Sequence, residues 1–534
     1  MGFLGGDRPE QEYLLPPDVR DWLPPGHLAW ALLDLAGQMD LTPFTSWYRA
    51  DGQGRPAYHP RTMVALICYC YCKGIRSSRA VEAATFDDLG ARVICGNLHP
   101  DHSTAARFLA RHEQAVKGLL VQSVVACARQ GLVSVDVTAG DGTKIRASAS
   151  MARNVTAADL NAQIADLEAL VAAEIGEWIA LARAEDAIQD ALPRDGDGPA
   201  GDGDGPAGDG PRPGRGRKRT AATLARRRAA RSRLQAAEQA RQAGAEETRA
   251  GQIARLEKRA EKARATAGAL AAAADAKVAA WQRRAAAKTA AGSGAGLAGR
   301  APVAAGDAVH VRRARQAATR AEEKLAAARA AAAGPGTPGK INTTDPSSMV
   351  MQAKNGGFGQ LHNVQVLAGK RQVVYAISAH PSPADVAALH PLLEKGRATL
   401  DAAGITGKLG VILFDAGYAS DANFTAACEG DLHVAVTREA RQTGRLKDGK
   451  QPKTMKDSWQ QMAAKLATAD GKAAYKQRAG TVEPVFAQLF ARLGSHLNYR
   501  DDKVDLELHL WAATHNMLKA IRSRWRAQAA AATT

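Results

Sequence analysis

No two of the six cysteines, Cys68, Cys70, Cys72, Cys95, Cys127 and Cys428, stand in a CxxC spacing. That argues against the common zinc and dithiol frameworks and predicts small buried apolar side chains in a reducing compartment. A secretory start is also lacking, because MGFLGGDRPEQEY carries acids and prolines where a signal needs a basic start and an apolar run. The longest strongly apolar stretch, MVALICYCYC, is too short to span a bilayer. His362, His380 and His433 occur singly, without the spacing of metal ligands. GNLHP and KNGGFG lack the strand-to-helix setting and the lysine of a phosphate loop, so no nucleotide cofactor is implied. Together these absences lead to the expectation of a soluble, intracellular chain with no membrane partner.

Acids are in short supply relative to bases. The chain has 71 Lys and Arg against 54 Asp and Glu, a net charge of +17. Such a balance favours a polyanionic partner, nucleic acid or an anionic membrane surface. A length of 534 residues is enough for two to four domains with a sizeable core, so neither disulfides nor a structural metal are required.

Residues 1–130 read as a helical unit with repeated helix starts. Pro60 opens one apolar segment and Gly74 closes it, Ser77 and Ser78 begin the next, and Pro100, Asp101 and Ser103 precede a further one. Arg76, Arg79, Arg107 and Arg111 near the helix ends suit either a helix-turn-helix-like module or packed helices with solvated arginines. Residues 131–150, GLVSVDVTAGDGTKIRASAS, change to a period of two, so a strand or hairpin is expected, with Asp141 beside a glycine at a break in the strand.

From 151 to 334 the composition turns to Ala, Arg, Glu and Gln, with a Gly/Asp/Pro run at about 193–218 that reads as a disordered linker. Sparse large apolar residues, among them Leu234, Ile253, Leu256, Leu270 and Trp281, predict long exposed helices, a loose helical hairpin or a partial coiled coil. Ten Lys and Arg face one acid, Glu238, between 211 and 240, which suits a solvated basic face or a phosphate-tracking surface.

Sheet patterning resumes at 357–381 as an antiparallel hairpin around Ala-Gly-Lys-Arg. A helix with Ser382 as cap and Gly404 as stop is expected next. KLGVILFDAGY then reads as a buried strand, SDANFTAACEG as a short helix from Ser420, and DLHVAVTR as another strand. The order implies a mixed α/β sheet into which residues 151–334 are inserted.

Three carboxylates stand out. Asp415 follows the buried strand VILF directly, where ligands gather in a mostly parallel sheet. Asp141 lies beside a glycine in the first strand region, with Asp136 as its rival. Two such aspartates on neighbouring strands suit hard divalent cations, although Asp-Gly is also an ordinary turn. In YKQRAGTVEPVFAQLFARLG the apolar residues recur at three and four, so Glu483 falls at the edge of an amphipathic stripe, unless Pro484 merely opens the helix there. Asp345 suits a turn and Asp421 a first helical turn.

DGTKIRASAS, VILFDAGY and YKQRAGTVEPVFAQL, in this order, resemble the three catalytic blocks of DDE transposases of bacterial insertion sequences, in the RNase H-like branch. YHPRTMVALICYCYCKGIRSSRAVEAA, LHPDHSTAARFLARH, TDPSSMVMQAKNGGFGQLHNVQ and LWAATHNMLKAI resemble further segments of that family.

The resemblance implies an RNase H-like mixed sheet with flanking helices at 131–150 and 335–534, an all-helical N-terminal DNA-binding domain at 1–130, and a helical insertion at 151–334. It implies Asp141, Asp415 and Glu483 as the catalytic, metal-binding triad for two Mg²⁺ ions, replaceable by Mn²⁺. Tyr475 and Arg478 match a Tyr-x-x-Arg that contacts the transposon end. Lys144, Arg76, Arg79 and Arg107 are the further candidate DNA contacts.

The implied activity is cleavage and strand transfer at terminal inverted repeats of double-stranded DNA, by a homodimer on DNA in the nucleoid-containing cytoplasm. A catalytically inactive DNA-binding regulator of transposase descent is the alternative. Two departures stand against the pattern. Phe490 occupies the place, seven after the glutamate, where many relatives carry a base, and Arg492 is turned about 200° further around the helix. The insertion is also long.

Overall fold

A computed structural model describes residues 18–48, 56–191, 215–290, 300–332, 339–353, 356–436 and 457–533. Contacts divide the chain into two units, Met1–Arg153 with Thr344–Thr534, and Asn154–Thr343.

The first unit begins with helices that include Leu28–Gly37, Pro60–Cys72, Ser78–Asp87, Leu89–Ile94, His102–Arg111 and Glu113–Arg129. Their starts follow the expected caps: Ser77 Oγ accepts from the Ala80 amide at 3.2 Å and Asp101 Oδ1 from Thr104 at 2.7 Å. Cys68, Cys70, Cys72, Cys95 and Cys127 are buried among apolar neighbours, and all six cysteines are free.

The strands are β1 Val137–Arg146, β2 Asn154–Thr156, β3 Lys340–Asn342, β4 Met349–Gln352, β5 Phe358–Gly369, β6 Val374–His380, β7 Val411–Phe414 and β8 Asp431–Val434. In the main sheet β5 pairs antiparallel with β1, β7 and β8 run parallel to β1, and β4 and β6 share the outer edge of β5. The 357–381 hairpin is thus β5–β6. The helix Ala469–Leu493 packs on β1, β5 and β7, while Leu389–Ala402 packs on β5 and β6.

Three expectations are corrected. β1 runs unbroken through Asp141-Gly142, with Asp141 opposite Val366 and Gly142 opposite Gln365. Gly142 is there for close approach, since a Cβ on it would lie 2.6 Å from Gln365 Nε2. The helix after β6 starts at Leu389, behind a 3-10 turn at Val386–Ala388, so Ser382 does not cap it. Pro484 does not open a helix either, because Ala469–Leu493 runs through it, which sets Glu483 in mid-helix.

Arg76 is the clearest change of role. Its side chain is 6% exposed and its Nη1 lies 3.0 Å from Glu507 Oε1, while Nη1 also donates to the His496 carbonyl at 2.7 Å. Its guanidinium sits 5.3 Å from the Trp511 ring centroid. The other Glu507 oxygen accepts from the amides of Asn498 and Tyr499. As a candidate DNA contact Arg76 is therefore corrected to a core residue that joins the helical segment to the closing helix Val504–Thr533. Arg79 and Arg107 are exposed, with Arg107 Nε on the Ser103 carbonyl at 3.2 Å.

The second unit consists of Ala157–Ala191, Arg215–Ala290 and Val309–Ala332 above the β2–β3 pair. Leu160, Ile164, Leu224, Ala230, Leu234 and Ile341 form one small cluster and Ala274, Ala305, Ala308 and Val311 another. Exposed ion pairs, Arg228–Glu168 and Arg264–Glu322, join the helices on the surface. The helices are long and thinly cored, as their composition predicts; the linker lies outside the described residues up to 214.

Two outcomes are expected. Replacing residues 154–343 by a short Gly-Ser linker should leave a cooperatively unfolding protein in thermal scans, because β2 pairs Asn154 with Asn342 and so brings the two chain ends together. Arg76→Ala should destabilise by about 3–5 kcal/mol in denaturant titration, since it leaves Glu507 buried and unpaired. A stable Arg76→Ala with weakened DNA binding would instead return Arg76 to the surface.

Candidate active site

Asp141 stands in the middle of β1, and Asp415 directly follows β7. The parallel register pairs Ala139 with Leu413, so two residues on, it sets Asp141 beside Asp415. Gly140 makes room for that edge: a Cβ there would lie 2.1 Å from the Phe414 ring. Asp415 caps the turn Ala416–Tyr418, its Oδ1 accepting from the Gly417 amide at 2.9 Å. The charge that follows the apolar strand is thus held by a backbone N–H at the strand's carboxyl end.

Glu483, on the helix Ala469–Leu493, is linked to this group through Arg478. Arg478 Nη1 lies 3.3 Å from Asp141 Oδ2, and its Nη2 lies 3.1 Å from Glu483 Oε1. One guanidinium therefore bridges an acid of the sheet and an acid of the helix. Tyr475, three residues before it on the same helix, is half-buried and interacts with Arg478. Arg478 is 15% exposed and Glu483 55%, so the bridge has one inner and one outer end. Asp136, in contrast, is exposed just before the other end of β1 and accepts from Ser134 Oγ. It does not join the group.

Burial pushes the Asp141 carboxyl up to about 6; Arg478 pulls it down, and the charge of Asp415 adds to the rise. Tyr418 is raised as well, first by burial and then by the charges of Asp385, Asp141 and Asp415.

A fourth acid, Asp385, was not among the sequence candidates. Its Oδ1 accepts from Asn363 Nδ2 and Gln365 Nε2, both at 2.8 Å, and lies 3.4 Å from Lys144 Nζ. Lys144 also donates to the Pro383 carbonyl at 2.9 Å, so the candidate DNA contact is tied into the loop after β6. A signal for Asp385 was present: Asn363 and Gln365 are buried amides at alternate positions of β5, and buried amides need partners. Asp345 is buried in a turn against His362 Nε2 at 2.8 Å, a structural place. Phe490 packs partly buried near Phe486.

The donors here are all carboxylate oxygens, which suit a hard divalent cation. Asp141 and Asp415 lie on adjacent strands, near enough for the charge of Asp415 to raise Asp141. Glu483 is held by Arg478, and among the described residues no group of three His, Cys, Asp or Glu side chains is arranged to hold an ion. The donor set fits such a cation in kind.

Asp141 also makes a prediction about stability. An acid whose pKa rises from 3.8 to about 6 on folding binds its proton more tightly in the native state, so stability falls as pH climbs through that interval. In chelator, Asp141→Asn is expected to raise the melting temperature near pH 7.5, by up to ~3 kcal/mol of stability, with the gain gone below about pH 4. A lower melting temperature at neutral pH would contradict it.

Residues 17–111 match the family model of a transposase domain (DUF772), and residues 436–521 match that of a transposase DDE domain. Tyr475, Arg478 and Glu483 fall within the second match; Asp141 and Asp415 lie between the two. No curated protein and no solved structure matches the chain. Among the described residues no helix is long and apolar enough to cross a membrane.

Proposed function

We propose that this chain, matched by two transposase family models of which the second is of the DDE class, is a DDE transposase of an insertion sequence with an RNase H-like mixed sheet, which cuts DNA at the terminal inverted repeats of its element and transfers the freed strands to a target. The observation that carries this reading is the meeting of acids from three distant segments: Asp141 and Asp415 on adjacent strands, and Glu483 joined to Asp141 through Arg478.

In this reading Asp141, Asp415 and Glu483 hold two Mg²⁺ ions, for which Mn²⁺ can substitute. Bound there, the ions supply charge neutralisation and an activated attacking oxygen. The protein's own part is positioning. The sheet fixes the two aspartates, and the helix Ala469–Leu493 carries Glu483, linked to Asp141 through Arg478. Arg478 exchanges its carboxylate partners for a DNA phosphate, which it can grip with two parallel N–H bonds. That exchange frees Glu483, and Tyr475 offers a ring for stacking beside it. The chain works on double-stranded DNA as a homodimer, in the bacterial cytoplasm beside the nucleoid. Arg79 and Arg107 add backbone contacts.

Glu483→Gln is expected to lose at least a hundredfold in Mg²⁺-dependent cleavage of the element's ends while binding them within about threefold of wild type, because the amide keeps the shape and the Arg478 contact but loses the charge. A gel assay with end DNA, Mg²⁺ and Mn²⁺ measures both. The alternative, an inactive DNA-binding regulator, draws on the Arg478 bridge that occupies Glu483 and on the apolar Phe490. It requires that wild type bind the ends and cut nothing.

A further inference from the structure

At the far end of the Ala469–Leu493 helix lies an open cleft of about 500 Å³ whose lining includes Lys73, Gln488, Arg492, His515, Lys519 and Arg522, and no carboxylate. It is built by close approach. Gly74, at φ +81°, turns the chain at the end of Pro60–Cys72, and a Cβ there would lie 2.6 Å from the Arg492 carbonyl oxygen. Gln372, itself at φ +63°, organises the floor: its Oε1 accepts from Gln488 at 2.9 Å and from Lys519 at 3.3 Å, and its carbonyl oxygen is 2.9 Å from His515 Nε2.

The charges in this cleft are not balanced. Lys73 pairs with Asp88 at 3.0 Å, but among the described residues Arg492, Lys519 and Arg522 have no carboxylate partner. Nε and Nη2 of Arg492 are buried without a hydrogen-bond partner among the described residues, and a buried donor left unpaired is costly. Burial pulls the pKa of Arg492 and of Lys519 down, and the charge of Arg522 adds to both. Burial also takes His515 down to about 3, so it contributes no charge. Three mutually repelling cations with spare donors call for a multivalent anion. Nine residues separate Arg492 from Glu483, about 14 Å along the helix and half a turn around it. The cleft is therefore separate from the carboxylate site, on the opposite side of that helix.

We infer that this cleft is a phosphate-binding site that clamps the DNA backbone away from the point of cleavage, with Arg492 and Arg522 as its main ligands. The inference rests on the DNA-directed reading above. Because the chemistry recognised is that of a phosphate, a free polyphosphate is the other source to distinguish.

The test uses full-length protein, wild type, Arg522→Gln, and Arg492→Gln/Arg522→Gln. Binding of a generic duplex is followed by fluorescence anisotropy across a salt series, and melting temperature is followed with and without inorganic pyrophosphate. The double variant is expected to bind about tenfold more weakly, with a log-affinity against log-salt slope shallower by about 1–2. Its melting temperature without phosphate should be equal or higher, since repulsion is relieved. Arg522→Gln, at an exposed position, should show the same direction and keep the fold intact. An unchanged salt slope together with pyrophosphate stabilisation of wild type alone would keep the phosphate site and assign it to a free ligand. Unchanged slopes and no pyrophosphate effect would overturn the site, as would a double variant that melts lower without phosphate and binds DNA normally. Failure of wild type to bind DNA at any salt would sink the proposed function, while the pyrophosphate arm would still decide the cleft.

Discussion

Two aspartates on neighbouring parallel strands, one of them largely out of water, cannot both carry charge without a cation close by. Everything distinctive about this edge of the sheet follows from that constraint. Asp141 is pushed toward its neutral form by burial and by Asp415, and Arg478 reaches in from the helix Ala469–Leu493 to offset it. The same guanidinium holds Glu483, so the third acid is positioned by the cation that balances the first. The site is a set of negative charges awaiting positive ones, with Arg478 as the resident partner.

The scaffold supports this arrangement through close packing at glycine. Gly140 admits the Phe414 ring where β1 meets β7, and Gly142 admits the Gln365 amide and Asp385. Both sit in a strand where the order of amino acids, Ala-Gly-Asp-Gly-Thr, reads as a turn. A glycine is ambiguous in sequence because it permits tight turns and tight contacts alike. Only the pairing partner of β1, a strand more than two hundred residues away, decides between them.

That difference marks what can be read without coordinates. Local signals were legible: the caps at Ser77 and Asp101, the β5–β6 hairpin, the buried strand ending at Asp415, and the apolar stripe of the Ala469–Leu493 helix. Non-local pairings were not. Arg76 looks like a solvated helix-end arginine until Glu507, 431 positions later, takes it into the core. Asp385 looks like a loop acid until Asn363, Gln365 and Lys144 converge on it. Arg492, noticed only as a base in the wrong place, gains meaning from Lys519 and Arg522 on another helix.

The most direct measurement is the anomalous diffraction of Mn²⁺ in crystals of the protein with its end DNA. The account predicts metal density bonded by carboxylate oxygens of Asp141, Asp415 and Glu483 together, at about 2.0–2.3 Å, with Arg478 turned from the acids to a phosphate. Metal held elsewhere, or held by the two aspartates while Arg478 still clasps Glu483, would contradict it.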